Sequence, residues 1–292
     1  MFETPFSKFS FIFALIISSI ILFIIFLSSS QNSITALVFC DVGQGDGIYL
    51  RIKNQTDILV DAGPDRKILD CLGKNMPFFD RTIELAIISH AQKDHFGGLL
   101  YILDRYDVKK IWMSGVHGNS RSFRELLEKI DAKRILLEFP KAGEISILSG
   151  AKIDFFWPSD EFIAKSTFSE EGLPAYFKQT AKDLNDFSLI FSLEIKDAKV
   201  LFTGDAPPYI LNGLLYQPKI KSNFLKIPHH GSKNGLTVEF LKLADPSYGV
   251  ISVGKKNSYG HPAKEVLVML KTSNIKIRRT DTEGDIVFKF KN

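Results

Sequence analysis

Histidines in this sequence concentrate at the ends of predicted strands. Five of the six lie at the carboxyl end of such a strand or in the loop that follows it: His90, His95, His229, His230 and His261. The sixth, His117, lies beside an ordinary turn. In sheet proteins, the loops after strand ends are where ligands and metals are bound. The histidine positions therefore predict a metal or ligand site in these loops.

The densest group of ligand-type residues occupies residues 89–98, with the sequence SHAQKDHFGG. It contains His90, Asp94 and His95, which are two imidazoles and a carboxylate within six positions. This set suits a borderline divalent ion such as Zn²⁺ or Mn²⁺. The glycine pair that follows lets the backbone fold closely around whatever these side chains hold. A single histidine could be a hydrogen-bonded structural residue, but three such residues on one turn indicate a metal site.

A second group begins at Asp205, which ends the hydrophobic run KVLFTGD. A carboxylate in this position could bridge two metal ions about 3.5–4 Å apart that activate water for hydrolysis. An aspartate after a glycine is also common as a turn or capping residue. The pair His229 and His230, after the next predicted strand, favours the ligand interpretation.

A glycine-rich segment, DVGQGDG, covers residues 41–47. A run this short is a weak signal, and a hairpin turn explains it adequately. The segment lacks the Gly-Lys-Ser/Thr ending of a phosphate-binding P-loop, and the chain lacks the GxSxG elbow of a serine hydrolase. The sequence therefore argues against both of these classes.

Composition limits the kind of metal site. The 292 residues are 45% hydrophobic and 24% charged, as in a globular protein. The formal charge of +4 is too small by itself to indicate a nucleic-acid binder. Cys40 and Cys71 are too few for a disulfide framework or a cysteine-based zinc module. Any metal must therefore be held by histidine, aspartate and glutamate.

The amino-terminal segment predicts a membrane anchor. Residues 9–27 carry no charge, glycine or proline, and about 20 apolar residues span a bilayer as a helix. The alternative is a cleaved signal peptide that ends near residues 28–30. Lys8 and the terminal amine place the remainder outside the cytoplasm by positive-inside reasoning. We therefore expect an anchor or signal segment over residues 1–33 and one extracytoplasmic domain over residues 34–292.

Short β-rich runs fill that domain. They end at Gly, Pro or Asp, as strands commonly do. The runs cover residues 36–42, 47–52, 57–63, 84–90, 109–115, 134–139, 152–158, 187–195, 199–205, 224–230, 248–254, 275–279 and 285–290.

Fewer helices are predicted between these strands. One covers residues 96–106, one begins after Ser120 as its cap, and one has Pro262 near its first turn. Many strands with interspersed helices favour an α+β sandwich of sheets with helices on the outer faces. Residues 159–184 have no clear period and are predicted to form a long surface loop, either a lid or binding loop or a plain insertion.

Taken in order, these segments resemble the metallo-β-lactamase superfamily, and in particular the hydrolase domain of ComEC-type DNA-uptake proteins. The resemblance runs along nearly all of residues 36–290. It implies an αββα metallo-β-lactamase sandwich, with the metal site at one edge between two sheets. The matching segments are FCDVGQGDG, ILVDAG, SHAQKDHFGGL, NDFS at residues 185–188, LFTGD, LKIPHHGS, ISVGKKNSYGHP and RRTDTEGDI.

The resemblance also implies a set of metal ligands for one or two ions. Asp205 fills the position of the bridging carboxylate, and Asp186 or Asn185 falls where the superfamily often has another histidine. Gln92 replaces the middle histidine of HxHxDH, as in the ComEC-like branch, and with fewer imidazoles Mn²⁺ is as plausible as Zn²⁺. The implied ligands are His90, Asp94, His95, Asp186, Asp205, His229 and His230, with the choice between His229 and His230 left open.

The reaction that the resemblance implies is attack on a phosphodiester by a metal-activated water. Asp94 or Asp205 could orient the water. His261 could stabilise a phosphate oxygen or protonate the leaving group, or it could simply cap a helix that starts at Pro262. Substrate-binding or supporting roles fall to other residues of the matching segments: Asp41, Gln44, Asp46, Asn185, Ser232, Lys233, Asn257 and Tyr259.

DNA is the favoured substrate. Basic residues of the second half could follow a phosphate backbone, or they could form a solvated face. They are Lys219, Lys221, Lys226, Lys233, Lys255, Lys256, Lys276, Arg278 and Arg279. One apolar span cannot form a DNA channel, so a separate membrane channel protein is a possible partner. The alternatives are a hydrolase of small or cell-surface phosphoesters such as phosphorylcholine esters, and a non-enzymatic DNA-binding partner of such a channel.

Overall fold

The computed structural model describes residues 5–31, 34–169, 174, 177–196 and 198–291. Helix α1, Pro5–Gln31, coincides with the predicted apolar anchor. Within these described residues, however, no helix has the length and apolarity needed to cross a membrane. The predicted transmembrane helix is therefore not supported, and residues 1–4 and 32–33 of the predicted anchor segment lie outside the described residues.

Two mixed sheets form the centre of the described domain. From edge to edge, the first sheet contains β19 (Ile286–Lys291), β1 (Ile34–Phe39), β2 (Gly47–Ile52), β3 (Thr56–Ala62), β5 (Leu85–Ile88), β7 (Lys110–Met113) and β9 (Leu136–Glu138). The second contains β10 (Ile145–Leu148), β11 (Ala151–Trp157), β14 (Ile190–Ile195), β15 (Ala198–Phe202), β16 (Phe224–Lys226), β17 (Tyr248–Ile251) and β18 (Lys276–Arg279).

Short strands complete the pattern beside these sheets. They are β4 (Thr82–Ile83) with β6 (Asp107–Val108), and β8 (Val116–His117) with β12 (Phe168–Ser169) and β13 (Lys178–Gln179). Helices lie along the chain between strands: α2 (Ile68–Asn75), α3 (Lys93–Phe96), α4 (Leu99–Ile102), α5 (Arg121–Ala132), α6 (Asp160–Ser166), α7 (Pro208–Gly213), α8 (Val238–Ala244), α9 (Lys264–Thr272) and α10 (Thr280–Glu283).

Each sheet has an antiparallel half and a parallel half. Strands β3, β5, β7 and β9 run parallel in the first sheet, and β15, β16, β17 and β18 run parallel in the second. Because parallel strands end at the same edge of a sheet, the loops after them gather there. The loops that carry the predicted ligands follow β5, β15 and β16.

Apolar side chains fill three layers of core. One cluster, which includes Phe39, Phe155 and Phe191, packs between the two sheets. A second lies between the first sheet and helices α2 and α5, and a third between the second sheet and helices α8 and α9. Strand β3 is buried at all of its residues because both of its faces are covered. The predicted sandwich of sheets with outer helices is confirmed.

Local signals predicted the helices unevenly. Helix α5 begins after Ser120, whose side chain accepts a hydrogen bond from the Phe123 amide, as predicted. The helix predicted over residues 96–106 is wrong in extent, because the chain forms two short helices, α3 and α4. Helix α9 begins at Lys264 without a side-chain cap, so the interpretation of His261 as the cap of a helix starting at Pro262 is wrong.

The predicted loop over residues 159–184 contains more regular structure than its composition indicates. Helix α6 and strands β12 and β13 lie within it, and β13 pairs in parallel with β8. Ser159 caps α6 by accepting from the Phe162 amide. Residues 170–173 and 175–176 of this stretch lie outside the described residues.

The two cysteines form a disulfide, a pairing that the sequence did not predict. Cys40 directly follows β1 and Cys71 lies in α2, so the bond joins the first sheet to its covering helix. Both residues are buried in the cluster between that sheet and its helices. The loop over residues 41–46 therefore begins at a cross-linked position.

Candidate metal centre

Four side chains from separate loops meet at the edge of the sandwich. Asp94 and His95 lie in α3 after β5, Asp205 follows β15, and His230 follows β16. One ligand atom of each lies within 4.8 Å of the corresponding atoms of the other three. We call these four residues the ligand cluster. The cluster results from loops at strand ends that converge between the two sheets.

The contacts within the ligand cluster are close. The Nε2 atom of His95 lies 3.3 Å from Asp205 Oδ2 and 3.8 Å from Asp94 Oδ2. The Nε2 atom of His230 lies 3.3 Å from Asp205 Oδ2 and 3.4 Å from Asp94 Oδ2. Both imidazoles therefore direct Nε2 toward the same pair of carboxylate oxygens.

This arrangement fits a divalent metal ion. Within the described part of the chain, the buried Nε2 atoms of His95 and His230 make no hydrogen bond, and both face the carboxylates of the ligand cluster. Buried polar atoms are ordinarily satisfied, so two such atoms directed at one point indicate a site built for a cation. Two imidazoles and two carboxylates are the donor set of a Zn²⁺ or Mn²⁺ site.

A cleft gives solvent access to the ligand cluster. Its volume is about 650 Å³, within the range typical of small-ligand sites. Asp94 is 32% exposed on the cleft side, whereas His95, Asp205 and His230 are buried. The cleft lining includes Gln44, Lys67, Gln92, Lys93, His229, Tyr259 and His261. A ligand in the cleft would therefore reach the ligand cluster from the side of Asp94.

Asp61 orients one of the imidazoles, and no site role was predicted for it. Its Oδ2 atom lies 2.9 Å from His95 Nδ1, and its two oxygens accept hydrogen bonds from the amide and the hydroxyl of Ser89, each at 2.7 Å. A carboxylate on the far nitrogen of a ligand imidazole sets its tautomer and ring orientation. The sequence signal that could have identified Asp61 is its place at the end of β3, in the segment ILVDAG.

Lys226 is buried beneath the ligand cluster. Its ammonium forms an ion pair with Asp46, lies 3.4 Å from Asp205 Oδ1 and donates a hydrogen bond of 2.9 Å to the carbonyl of Gly204. The sequence placed Lys226 among basic residues that could follow a phosphate backbone or form a solvated face. Both interpretations are wrong for this residue, because its side chain is buried against carboxylates.

Neighbouring charges lower the pKa of Asp205 and raise the pKa values of the two imidazoles in the ligand cluster. Burial alone would raise the pKa of Asp205, but His230, His95 and Lys226 outweigh it and hold that pKa well below its ordinary value. Burial would lower the pKa values of His95 and His230, but Asp205 and the other nearby carboxylates raise both well above the ordinary value. Burial and the neighbouring His95 lower the pKa of His90 to about 3. The imidazoles and carboxylates of the ligand cluster therefore favour each other's charged forms.

Other predicted ligands lie outside the ligand cluster. His90 is buried and its Nδ1 atom lies 3.0 Å from Ser89 Oγ. His229 lines the cleft, with its ring centre 6.0 Å from that of His261. Between the two candidates of the HHGS segment, the structure places His230 in the cluster. Asp186 and Asn185 lie in a 3₁₀ turn over Leu184–Phe187, where the backbone carbonyl of Asp186 accepts from the Trp157 indole.

The predicted supporting residues fall into three groups. Gln44 and Tyr259 line the cleft, and Asn257 holds the loop over residues 254–261 by hydrogen bonds to Gly254 and His261. Asp46 contacts Lys226 and His230 from below the cluster. The remaining residues lie in turns or at the surface: Asp41, Ser232 and Lys233.

Glycines allow the loops to pack closely, as the sequence predicted for the glycine pair. A side chain at Gly98 would place its Cβ 2.0 Å from the carbonyl oxygen of Ala62. At Gly45, whose φ is +140°, a Cβ would lie 2.2 Å from the carbonyl oxygen of Asp94. The first approach packs the glycine pair against the end of β3, and the second joins the 41–47 segment to the turn that carries Asp94 and His95.

Comparison with known proteins places this geometry in a family. The sequence model of the Metallo-beta-lactamase superfamily matches residues 40–255. The chain is 25% identical over 293 residues to ComE operon protein 3 of Bacillus subtilis (strain 168), covering 93% of this chain and 35% of that protein. It is 25% identical over 256 residues to Competence protein ComA of Neisseria gonorrhoeae, covering 87% of this chain and 32% of that protein. The chain thus spans about a third of the length of these curated relatives.

A solved structure shares the fold. Igni18, a metallo hydrolase from Ignicoccus hospitalis KIN4/I, superposes with a TM-score of 0.52 at 16% identity, covering 89% of this chain and 100% of the other. The match over residues 40–255 and the curated relatives confirm the resemblance predicted from the sequence motifs. From the match over residues 40–255 and the metal-ligand geometry at the sheet edge, the chain belongs to the metallo-beta-lactamase superfamily of metal-dependent hydrolases, with relatives among ComEC-like competence proteins.

Proposed function

We propose that the chain is a metal-dependent phosphodiesterase that cleaves DNA. The observation that carries the proposal is the convergence of Asp94, His95, Asp205 and His230 at the base of an open cleft. Lys67 and Lys93 line the same cleft, and ammonium groups there suit a substrate that carries phosphate. This pairing of a cation site with basic side chains fits a phosphodiester better than a neutral ester.

Different residues would hold the ion, keep its carboxylate ligand charged and contact the substrate. When bound, a divalent ion at this site activates water and neutralises charge on a phosphoryl oxygen. Lys226 and the two imidazoles keep Asp205 ionised, so that its oxygens are available as ligands. Burial, His229 and His230 lower the pKa of His261, which favours its neutral imidazole. His261 is then better suited to accept a proton or to donate a hydrogen bond than to protonate a leaving group.

The proposal of DNA as the substrate rests on the relatives. The name of the Neisseria gonorrhoeae relative refers to competence, and the name of a Haemophilus influenzae relative refers to recombination. Both processes act on DNA, and the chain matches a part of each protein rather than the whole. A separate membrane channel as partner stays a prediction.

We propose one ion, Zn²⁺ or Mn²⁺, in the ligand cluster. Gln92 occupies the position where the superfamily has a histidine that, with His90, could bind a second ion. Its amide nitrogen lies 3.4 Å from Asp183 Oδ1. Gln92→His should raise the metal content from about one to about two ions per chain, measured by mass spectrometry of the purified protein. Two ions in the unaltered chain would contradict the single-ion proposal.

We propose that the domain works in an extracytoplasmic compartment. The Cys40–Cys71 disulfide supports this location, because disulfides persist in oxidising surroundings. The predicted membrane anchor over residues 1–33 stays a prediction.

The proposed activity is tested with the full chain, stripped of metal and reloaded with Zn²⁺ or Mn²⁺. A labelled oligonucleotide should be cleaved, and Asp205→Asn should lower the rate at least about 100-fold, because one ligand of the ion is lost. Asp104→Asn serves as the matched control and should leave the rate unchanged. This carboxylate follows α4 in the sequence, and its side chain is 59% exposed.

The alternatives give different results in the same experiment. Cleavage of a phosphorylcholine ester without cleavage of DNA would replace the proposed substrate. Salt-sensitive DNA binding that survives His90→Ala and His95→Ala, with no hydrolysis under either ion, would indicate a binding protein instead.

A further inference from the structure

We propose that Tyr259 is a stacking platform for an unpaired nucleobase beside the metal centre, so that the cleft takes single-stranded rather than duplex DNA. The inference rests on the proposed phosphodiesterase function and names the form of its substrate. The cleft has one unusual feature, because the aromatic ring of Tyr259 is exposed to solvent at the opening of a polar site.

Tyr259 is 70% exposed although it lines the same cleft as Asp205 and His230. Its ring stacks on that of His261, with centroids 5.7 Å apart and an angle of 17° between the planes. One side of the tyrosine is thus supported by an imidazole, and its high exposure leaves ring surface available to a ligand. A flat ligand could continue the stack over the cleft.

The loop that carries the ring is held in place. The Asn257 amide donates hydrogen bonds of 2.8 Å to the Gly254 carbonyl and 2.9 Å to the His261 carbonyl, and its oxygen accepts from the His261 amide at 2.9 Å. The Gly254 amide donates to Gln44 Oε1, which ties this loop to the 41–47 segment. A braced ring loses little conformational freedom when a ligand stacks on it.

The surroundings of the ring favour a nucleobase over a quaternary ammonium group. Recognition of choline uses several aromatic rings around the cation. In the described lining of this cleft, Tyr259 supplies the phenol ring, and Lys67 and Lys93 would repel a cation. The same lysines and the metal ion attract phosphates, and every base has a π-face that can stack on a phenol. A nucleotide chain offers phosphates to the lysines and the metal, and bases to the ring of Tyr259.

Stacking on Tyr259 requires a base whose face is free. In a duplex, each base is covered by its neighbours, and extruding it costs a few kcal/mol. A single strand presents its bases without that cost, and aromatic platforms are tolerant of base sequence. The geometry therefore points to single-stranded DNA, with little preference for any base.

The test measures binding by fluorescence anisotropy with the full chain in EDTA, so that hydrolysis plays no part. The probes are a short labelled single strand, the same strand with abasic sites, and the matching duplex. Tyr259→Ala should weaken binding of the intact single strand about 5- to 150-fold, the equivalent of about 1–3 kcal/mol per stacked base. Tyr259→Phe should bind within about twofold of the unaltered protein, because the ring is kept.

A matched control is Tyr216→Ala, which removes a tyrosine that is 93% exposed and is not part of the cleft lining, and which should leave binding unchanged. The proposal is overturned if Tyr259→Ala binds the intact strand as well as the unaltered protein does. It is also overturned if the unaltered protein binds the abasic strand or the duplex as tightly as the intact strand, or if Tyr259→Ala weakens only the binding of phosphorylcholine.

Failure of the proposed function gives a separate signature. In that case the unaltered protein, reloaded with Zn²⁺ or Mn²⁺, cleaves neither the intact nor the abasic strand, whatever the anisotropy shows. Cleavage of both strands without a contribution of Tyr259 to binding would keep the phosphodiesterase and remove the stacking platform.

Discussion

Asp61 Oδ2 lies 2.9 Å from Nδ1 of His95, on the side of the imidazole that faces away from the ligand cluster. The carboxylate also accepts two hydrogen bonds from Ser89, so its position is determined by the strand ends of β3 and β5. The orientation of a ligand imidazole thus depends on a residue that does not itself belong to the cluster.

Asp61→Asn should weaken metal binding about 10- to 100-fold, because the imidazole of His95 loses the charged carboxylate that sets its tautomer. Isothermal titration with Zn²⁺ measures the affinity, and circular dichroism checks that the fold is kept. Asp70→Asn, in the first turn of α2 and exposed, is the control with unchanged affinity. Equal affinities for Asp61→Asn and the unaltered protein would show that the contact does not orient the ligand.

Lys226→Met should lower the free energy of unfolding by about 3–5 kcal/mol in metal-free protein. The substitution leaves the buried carboxylates of Asp46 and Asp205 without their ammonium partner. Urea denaturation measures the loss. Lys221→Met removes a lysine whose side chain is 72% exposed and should change stability by less than about 0.5 kcal/mol.

A double variant separates the ion pair from the packing of the lysine stem. Asp46→Asn combined with Lys226→Met should be less destabilised than the sum of the two single variants, because no unpaired charge is left at position 46. Strict additivity would mean that Lys226 and Asp46 do not stabilise each other.

Metal affinity should rise with pH. The pKa values of His95 and His230 are raised in metal-free protein by Asp205 and the other carboxylates, so both protons must leave when the ion binds. Each released proton strengthens apparent binding by up to about tenfold per pH unit, below the folded-state pKa values. Zn²⁺ titrations at pH 6, 7 and 8, in buffers that differ in ionisation enthalpy, count the released protons. An affinity that does not vary with pH would contradict the charged state of the two imidazoles.

The same shifts make the stability of metal-free protein depend on pH. For a histidine whose pKa is raised on folding, the added stability is fully present below the unfolded value of about 6.5 and is lost as pH rises through the folded value. The melting temperature of metal-free protein should therefore fall above neutral pH, and Zn²⁺ should raise it most in that range.

Reduction of the Cys40–Cys71 disulfide should lower stability by about 3–4 kcal/mol. The bond closes a loop with a sequence separation of 31 residues, and cross-links of that length restrict the unfolded chain by about this amount. Urea midpoints with and without dithiothreitol measure the effect. The variant Cys40→Ser/Cys71→Ser should show the lower midpoint both with and without dithiothreitol. If dithiothreitol does not change the midpoint of the unaltered protein, the prediction is contradicted.

Periodicity and turn residues in the sequence were enough to predict most strands and the layered sandwich. Strand patterns depend on side chains that alternate or stay apolar over a few residues, which is local information. Helices α3 and α4 show the limit of such patterns. The amide of Gly98 donates to the carbonyl of Gly63, and Gly98 packs against Ala62 at the end of β3, so the two helices are not one continuous helix.

By itself, the sequence determined which loops carry the ligand-type residues, because motif spacing and strand ends are local features of the chain. Asp94, His95 and Asp205 could be named in this way. Only the tertiary structure decided that His230 rather than His229 joins them, that Asp61 and Lys226 lie against the cluster, and that Cys40 bonds to Cys71. The physical reason is that these choices depend on distances between residues far apart in the chain, and such distances arise only when the two sheets pack.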